Sequence, residues 1–366
     1  MITINNNMYV LDTDNTSYAF AVLGSGQLEH LYYGRKLHAN EAVMTEKHTF
    51  IPGNTNVYNK DYSSYSLEDV CLEMSSLGKG DIREPFIEVT YPNGSSTTDM
   101  VFDRAEIIQG KEEYDTLPGS YDDNGEVEQL VIYLKDRNYN LTLELHYYVY
   151  EKCDIITRSA KLVNSENESV RLERLMSMQL DLNESDYELS FFNGAWAREM
   201  NRSRIPIRAG KYVNESVTGT SSNRANPFFM IGRSSTTEDY GECYGFNLIY
   251  SGNHYEAAQV NSYGKLRLVS GINPATFSYI IEAGKCFEAP EAVLTYSYKG
   301  YNRMSHNMHE FVRKHIVRGS WRDKERPVLI NSWEAAYFNI NERKLVKLAK
   351  AAKDTGVELF VMDDGW

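Results

Sequence analysis

Two adjacent carboxylates near the end of the chain are the residues best suited to chemistry. Asp363 and Asp364 directly follow an apolar run that ends at Met362. Two carboxylates about 5 Å apart can act as nucleophile and acid in glycosidic bond cleavage. Neighbouring residues of a strand point to opposite faces, however, so this pair cannot flank one reacting carbon. We therefore expect both to accept hydrogen bonds from ligand hydroxyls, with capping of the following turn as the alternative.

Three tryptophans occupy positions from which they could contact a flat, partly apolar ligand. Trp333 and Trp366 end two apolar segments, whereas Trp196 lies in a stretch whose Gly and Asn predict a loop. An indole face packs on apolar surface while its N–H seeks an acceptor, which suits a sugar ring. Packing within the fold is the alternative for each of them. The predicted substrate-binding residues are therefore Asp363, Asp364, Trp333, Trp196 and Trp366.

A strand–helix–strand unit would position most of these side chains. Apolar runs at residues 327–333 and 357–362 predict the strands. Between them, Asn339 with Glu342 resembles a capping box, and Gly356 suits a helix C-terminus. The apolar stripe of this helix consists of Leu345, Leu348, Ala349 and Ala352.

Such a unit is how a (β/α)₈ barrel begins, and barrels keep their substrate groups at the carboxyl ends of the strands. Two strands of eight cannot close a barrel. We therefore expect residues 327–366 to be the start of a truncated barrel, with the main chemistry beyond residue 366.

The first 300 residues have the pattern of antiparallel β structure. Apolar and polar residues alternate over 141–149, as in a half-buried strand, and short strands recur up to residue 298 with no helical stretch between them. This pattern predicts a large antiparallel sandwich. Helical spacing of Met304, Met308 and Phe311 then predicts a linking helix. The predicted domains are residues 1–300 (β), 301–326 (linking helix) and 327–366 (barrel start).

Composition narrows the possible partners. The net charge of −13 argues against nucleic acid and anionic membranes. No run approaches about 18 apolar residues and no signal peptide is recognisable, which predicts a cytoplasmic protein. The four cysteines have no metal-site spacing, so we expect free buried thiols. His306 and His309 lack further ligands nearby, and we predict neither a metal nor a cofactor.

Taken together, several segments resemble the family 36 glycoside hydrolases, the microbial α-galactosidases of raffinose and melibiose breakdown. The resemblance extends over the whole chain and is most specific near its end. The segments are residues 15–18, 30–35, 80–85, 194–196, 222–228, 326–335 and 363–366.

This resemblance implies a fold and an activity. The fold would be an N-terminal β-supersandwich followed by a (β/α)₈ barrel, and the activity would be retaining cleavage of terminal α-galactosides. Neither catalytic Asp would lie in this chain. Asp363 and Asp364 would bind the galactose 4- and 6-hydroxyls, and Trp333 would line the same pocket. Trp196 would reach a neighbouring subunit's site, as in the family's homotetramers.

One departure and three alternatives accompany the resemblance. Lys47 stands where tetrameric members often carry an Asp that enters the neighbour's site, so the resemblance does not carry that contact over. The same fold could serve an α-N-acetylgalactosaminidase or a galactosyl transferase. A non-catalytic carbohydrate-binding or assembly module is an alternative of a different class.

Overall fold

The structure is a computed structural model that describes residues 1–38, 56–63 and 66–364. Lys47 and Trp366 lie outside the described residues. The chain divides into two compact units, residues 1–316 and 317–366.

Most of the described strands, and one described α-helix, belong to the first unit. Its strands are β1 Ile2–Asn5, β2 Met8–Asp12, β3 Thr16–Val22, β4 Leu28–Arg35, β5 Ile87–Thr90, β6 Met100–Gln109, β7 Glu128–Asp136, β8 Leu141–Tyr150, β9 Ile155–Asn164, β10 Val170–Leu182, β11 Glu188–Ala195, β12 Arg198–Pro206, β13 Gly210–Glu215, β14 Ala225–Gly232, β15 Cys243–Ile249, β16 His254–Val260, β17 Leu266–Ile272, β18 Tyr279–Ile281, β19 Cys286–Glu288 and β20 Glu291–Ser297. Its helix is α1, Gly300–His315, and three short 3₁₀ turns lie at Leu67–Asp69, Glu151–Cys153 and Pro274–Thr276. The second unit contains β21 Leu329–Asn331, α2 Trp333–Ala336, α3 Glu342–Asp354 and β22 Leu359–Val361.

The described strands of the first unit form three antiparallel sheets. One has the order β1-β2-β3-β4, and a second has the order β13-β16-β17-β10-β18 with β5 also paired to β10. The largest has the order β12-β11-β14-β15-β20-β9-β8-β7-β6, with β19 paired to β9. Side chains from all three sheets share one apolar core. The predicted fold class, mainly antiparallel β followed by a helix and a β-α-β start, is confirmed.

Strand β8 shows why the sequence pattern was informative. Leu141, Leu143 and Leu145 are buried, while Thr142 and Glu144 between them are half-buried. Both edges of β8 are paired, one with β7 and one with β9. The alternation therefore reports a strand with one face in the core.

Buried ion pairs link the sheets in the interior of the first unit. Arg158 lies 3.1 Å from Glu73, whose carboxylate also accepts hydrogen bonds from the hydroxyls of Tyr18 and Tyr147. Burial raises the pKa of Glu73, but Arg158 and His30 outweigh it and hold that pKa below its ordinary value. Removing one partner would leave the other charge buried and unpaired.

A second buried cluster explains the segment 80–85. Asp81 is bound by Arg83 at 2.9 Å and by Arg267 at 2.8 Å, and Arg267 also bonds Asp181 at 2.7 Å. These side chains pin the 80–85 loop onto the sheet that contains β10 and β17. Their role in the first unit is structural.

Helix α1 is shorter than the predicted linking segment and belongs to the first unit. Tyr301, Met304 and Phe311 are buried on its sheet-facing side. Its first amides donate to backbone carbonyls: the N–H of Gly300 to Gly241 O at 2.9 Å, and that of Tyr301 to Thr237 O at 3.1 Å. These bonds satisfy the orphan donors of the first turn without a side-chain cap.

The cysteines match the expectation of buried thiols with one exception. Cys71, Cys153 and Cys243 are buried, as predicted, whereas Cys286 is exposed. Cys286 lies at the start of the short strand β19, which pairs only with β9 among the described strands. Its side chain therefore has little cover.

Among the described residues, no helix is long and apolar enough to cross a membrane.

Candidate functional site

The second unit brings together side chains from two parallel strands. Residues Leu329–Asn331 of β21 pair with Leu359–Val361 of β22, so that Asn331 lies opposite Val361. The residues that follow both strands consequently emerge at the same edge. Ser332, which is buried, donates its N–H to Val361 O at 2.9 Å and continues this junction past the strand ends.

Asp363 is held at this edge by three hydrogen bonds. Its carboxylate accepts from Asn331 Nδ2 at 2.6 Å and from the backbone N–H of Asp364 at 2.7 Å. Its own N–H donates to Ser332 Oγ at 3.2 Å. The Asp364 amide and, after it, the Asn331 side chain hold the pKa of Asp363 below its ordinary value. Asp363 is thus an ionised, fixed acceptor at neutral pH, and Asp364 beside it has an exposed side chain.

Asn331 is a member of this cluster that residue-by-residue analysis of the sequence missed. Its Oδ1 accepts the backbone N–H of Trp333 at 2.7 Å, while its Nδ2 donates to Asp363. One side chain therefore links the segment after β21 to the segment after β22. The available signal was its position, since a polar residue ending an apolar run mirrors the position of Asp363.

Trp333 occupies the start of a helical turn, α2. The prediction that it ends a strand is wrong, because β21 already ends at Asn331. The half-buried ring of Trp333 meets Tyr337 edge-on at a centroid distance of 5.3 Å and Phe338 at 5.0 Å. Tyr337 and Phe338 are themselves 53% and 69% exposed. The backbone of Tyr337 has a φ of +45°, a conformation that is costly for a bulky residue and that often marks functional segments. These three rings form an aromatic corner that begins directly after Ser332, two residues beyond Asn331, whose side chain bonds Asp363.

Trp196 lies in the first unit, at the tip of a hairpin. Strands β11 and β12 are joined by the two residues Trp196 and Ala197, and Trp196 is 91% exposed. Gly194 precedes this tip where three backbone segments converge, and a Cβ there would lie 2.7 Å from Arg198 O and 2.9 Å from Asn223 O. In the described structure, this hairpin therefore leaves the indole almost entirely exposed.

Metal chemistry has no ready set of ligands in the part of the chain that the structure describes. No group of three or more His, Cys, Asp and Glu side chains is placed there to hold a metal ion. The second unit instead offers hydrogen-bond acceptors, the carboxylate oxygens of Asp363 and Asp364, and the partly exposed aromatic rings of Trp333, Tyr337 and Phe338.

A sandwich of antiparallel sheets followed by a β-α-β unit with carboxylates at its strand ends is an arrangement found among barrel glycosidases. Residues 26–282 match the model of the glycosyl hydrolase family 36 N-terminal domain, and residues 286–366 match the melibiase model. The chain belongs to glycosyl hydrolase family 36, and the resemblance identified in the sequence is confirmed.

Individual relatives cover the chain almost completely. α-Galactosidase AgaA of Geobacillus stearothermophilus is 38% identical over 97% of this chain and 49% of its own length. The crystal structure of AgaB from the same organism has a TM-score of 0.96 at 36% identity, covering all of this chain and 50% of AgaB. An AgaA variant solved in complex with raffinose has a TM-score of 0.95 at 36% identity, covering 98% of this chain and 50% of that protein. The chain spans about half the length of the relatives it matches.

Proposed function

We propose that this chain is the N-terminal part of an α-galactosidase that hydrolyses terminal α-D-galactosides, such as melibiose and the raffinose-type oligosaccharides. The mechanism would be retaining double displacement, with both catalytic aspartates outside these residues. The observation that carries this proposal is the 38% identity to α-galactosidase AgaA over nearly the whole chain. The relative solved with raffinose supports the substrate class.

Within that enzyme, Asp363 and Asp364 would bind galactose hydroxyls. Ionised carboxylates are strong acceptors, and Asp363 is oriented by Asn331 before any ligand arrives. Trp333, with Tyr337 and Phe338, would cover the apolar face of the sugar. Trp366 would join them by the family resemblance.

The finer features of the proposal concern assembly and location. We propose a cytoplasmic homotetramer in which Trp196 reaches a neighbouring subunit's site, as the family resemblance implies. The exposure of 91% of this indole on a short hairpin supports a contact made outside its own subunit.

The test uses the full-length protein that contains this chain. Asp363→Ala or Asp364→Ala should lower kcat/KM for an aryl α-galactoside roughly ten- to a hundredfold, because a charge-assisted hydrogen bond is lost and a bound hydroxyl stays unpaired. A 6-deoxygalactoside should be a poor substrate for the native enzyme. Its kcat/KM should fall little further in the variant that lacks the carboxylate partner of the 6-hydroxyl.

Asp354→Ala is the matched control, since Asp354 ends α3 shortly before β22 begins and so lies toward the beginnings of the two parallel strands, not the ends that carry Asn331 and Asp363. It should leave kcat/KM unchanged. If kcat/KM fell equally for the two substrates in both variants, at an unchanged Tm, the carboxylates would not be the groups that bind these hydroxyls. A full-length protein with no α-galactosidase activity would overturn the proposed function itself.

A further inference from the structure

The Trp196 hairpin rests on one neighbouring backbone segment, residues 223–226. Asn193 pairs with Ala225 across β11 and β14, and Asn226 Nδ2 donates to Phe192 O at 3.1 Å. Gly194 also approaches Asn223 O so closely that a Cβ would lie 2.9 Å from it. The position of the hairpin tip therefore depends on where residues 223–226 are held.

Two buried polar side chains of the second sheet hold that segment in place. His254 Nε2 donates to Ala225 O at 2.9 Å, and Asn214 Nδ2 donates to Asn226 O at 2.8 Å. Asn214 Nδ2 also lies 2.8 Å from Glu256 Oε2. His254, Asn214 and Glu256 are all less than a tenth exposed. They occupy the paired strands β13 and β16, where Asn214 faces Glu256.

The hydrogen-bond partners of His254 fix how many protons the site contains. A carbonyl only accepts, so Nε2 must carry its hydrogen in order to bond Ala225 O. The other nitrogen, Nδ1, lies 2.9 Å from Glu256 Oε2. In a neutral ring of this tautomer, Nδ1 bears a lone pair, which would face the lone pairs of an ionised carboxylate. One proton must therefore lie between His254 and Glu256.

We propose that the buried His254–Glu256 pair is a proton-dependent support that positions the Trp196 hairpin through residues 225–226. When the proton shared between Nδ1 and the carboxylate leaves, repulsion separates the two groups. The His254 ring and the Glu256–Asn214 contact then shift together. The backbone beneath Gly194 loses its support, and the environment of Trp196 changes.

The direction of the pH response follows from the surroundings of His254. Burial lowers the pKa of His254, but the hydrogen bond and charge of Glu256, the Ala225 carbonyl and the charge of Glu215 on β13 outweigh it, so that the pKa is raised. The pKa of Glu256 is also raised, in this case because burial disfavours its charged form. A raised pKa of His254 means that the support is fully present below pH 6.5 and is lost as the pH rises through the folded value.

The experiment follows the hairpin directly in the 366-residue chain, independently of catalysis. The four tryptophans are replaced by 5-fluorotryptophan, and Trp196→Phe assigns one ¹⁹F resonance to the hairpin tip. Between about pH 6 and about pH 10, we expect this resonance to shift with the same midpoint as the His254 ring signals. A failure of the proposed α-galactosidase activity would leave this result unaffected.

Glu256→Gln is the diagnostic variant. The Gln amide N–H can donate to Nδ1 of a neutral His254 while its oxygen still accepts from Asn214, so the site no longer needs the shared proton. The Trp196 resonance of this variant should stay constant over the same pH range. Glu144→Gln is the matched control, because Glu144 also lies two residues from a histidine, His146, but on a strand four places from β14. In Glu144→Gln, the Trp196 resonance should shift with pH as it does in the wild type.

Three results would overturn the proposal. They are titration of His254 without any change at Trp196, a Trp196 shift that persists in Glu256→Gln, and retention of the shared proton up to pH 10 in the folded chain. The first and third are measured in the wild-type chain, so they remain decisive if Glu256→Gln folds poorly.

Discussion

At the scale of single residues, the second unit shows how an exposed carboxylate can be kept in one orientation without being buried. Asp363 is fixed by neighbours on both sides of the strand junction, Asn331 and Asp364. The position of Asp363 at a strand end could be predicted from the apolar run before it. Its bond to Asn331 could not, because that bond depends on which residues of two strands lie opposite each other.

The first prediction concerns the charge state of Asp363. Asn331→Ala removes the side-chain donor, so the pKa of Asp363 should rise toward its ordinary value of 3.8. A carboxyl ¹³C titration of the chain measures this shift. Asn339→Ala should leave the pKa of Asp363 unchanged, because only the backbone of Asn339 has partners in the structure. A wild-type pKa at or above the ordinary value would contradict the described bonds.

At the scale of elements, helix ends follow local chemistry closely but not always at the residue expected. The capping box predicted at Asn339 is absent, since Asn341 caps α3 by accepting the N–H of Lys344 at 3.0 Å. The predicted end is confirmed, because Gly356 has a φ of +90° and its N–H bonds Lys353 O. Two asparagines two residues apart offer alternative starts. The choice depends on backbone angles that the sequence pattern does not encode.

The second prediction tests this cap. Asn341→Ala should destabilise α3 by about 1 kcal/mol, because one first-turn donor loses its acceptor. Asn339→Ala should change the stability of α3 little, since the side chain of Asn339 does not cap the helix. Amide exchange in the first turns of α3 should accelerate in the first variant alone. Equal acceleration in both would place the helix start at the predicted residue after all.

A third prediction separates backbone strain from steric overlap at the start of α1. Gly300 and Gly264 share a φ of +76°, but a Cβ on Gly300 would lie 2.5 Å from Glu238 O and from Tyr240 N, while Gly264 has open space. Gly264→Ala should therefore cost about 1 kcal/mol through its backbone angle alone. Gly300→Ala should cost more than about 3 kcal/mol, measured by urea unfolding of the chain. Equal costs would mean that the loop at residues 237–241 yields to the added methyl group.

At the scale of the whole molecule, the class of the fold could be predicted and the sheet order could not. Alternating residues report one buried face, as β8 illustrates, and many such strands indicate packed sheets. Neighbouring strands in the largest sheet are often distant in sequence: β20 joins β9 to β15 through the pairs Leu294–Ile156 and Leu294–Phe246. Such choices follow from packing over the entire core, which no local pattern contains.

The fourth prediction concerns the two compact units. Several apolar side chains of the second unit are exposed in the described structure: Val328 59%, Leu329 51%, Ile330 43%, Leu359 40% and Met362 48%. A two-stranded sheet with uncovered apolar faces is marginally stable. In the 366-residue chain, amides of β21 and β22 should exchange much faster than those of β8 and β9. Comparable protection in both units would show that these faces are covered in solution.

Because three of the four thiols are buried and one is exposed, a thiol-specific label should react with the chain at a single position. Thiolates react with maleimides, and burial raises the pKa of Cys153 and, to about 12, that of Cys243. Cys71 is buried and donates to Asn183, which leaves Cys286 as the exposed thiol. A native chain should therefore take up one maleimide, and Cys286→Ser should take up none. In air, the same exposed sulfur should join two chains through a reducible intermolecular disulfide.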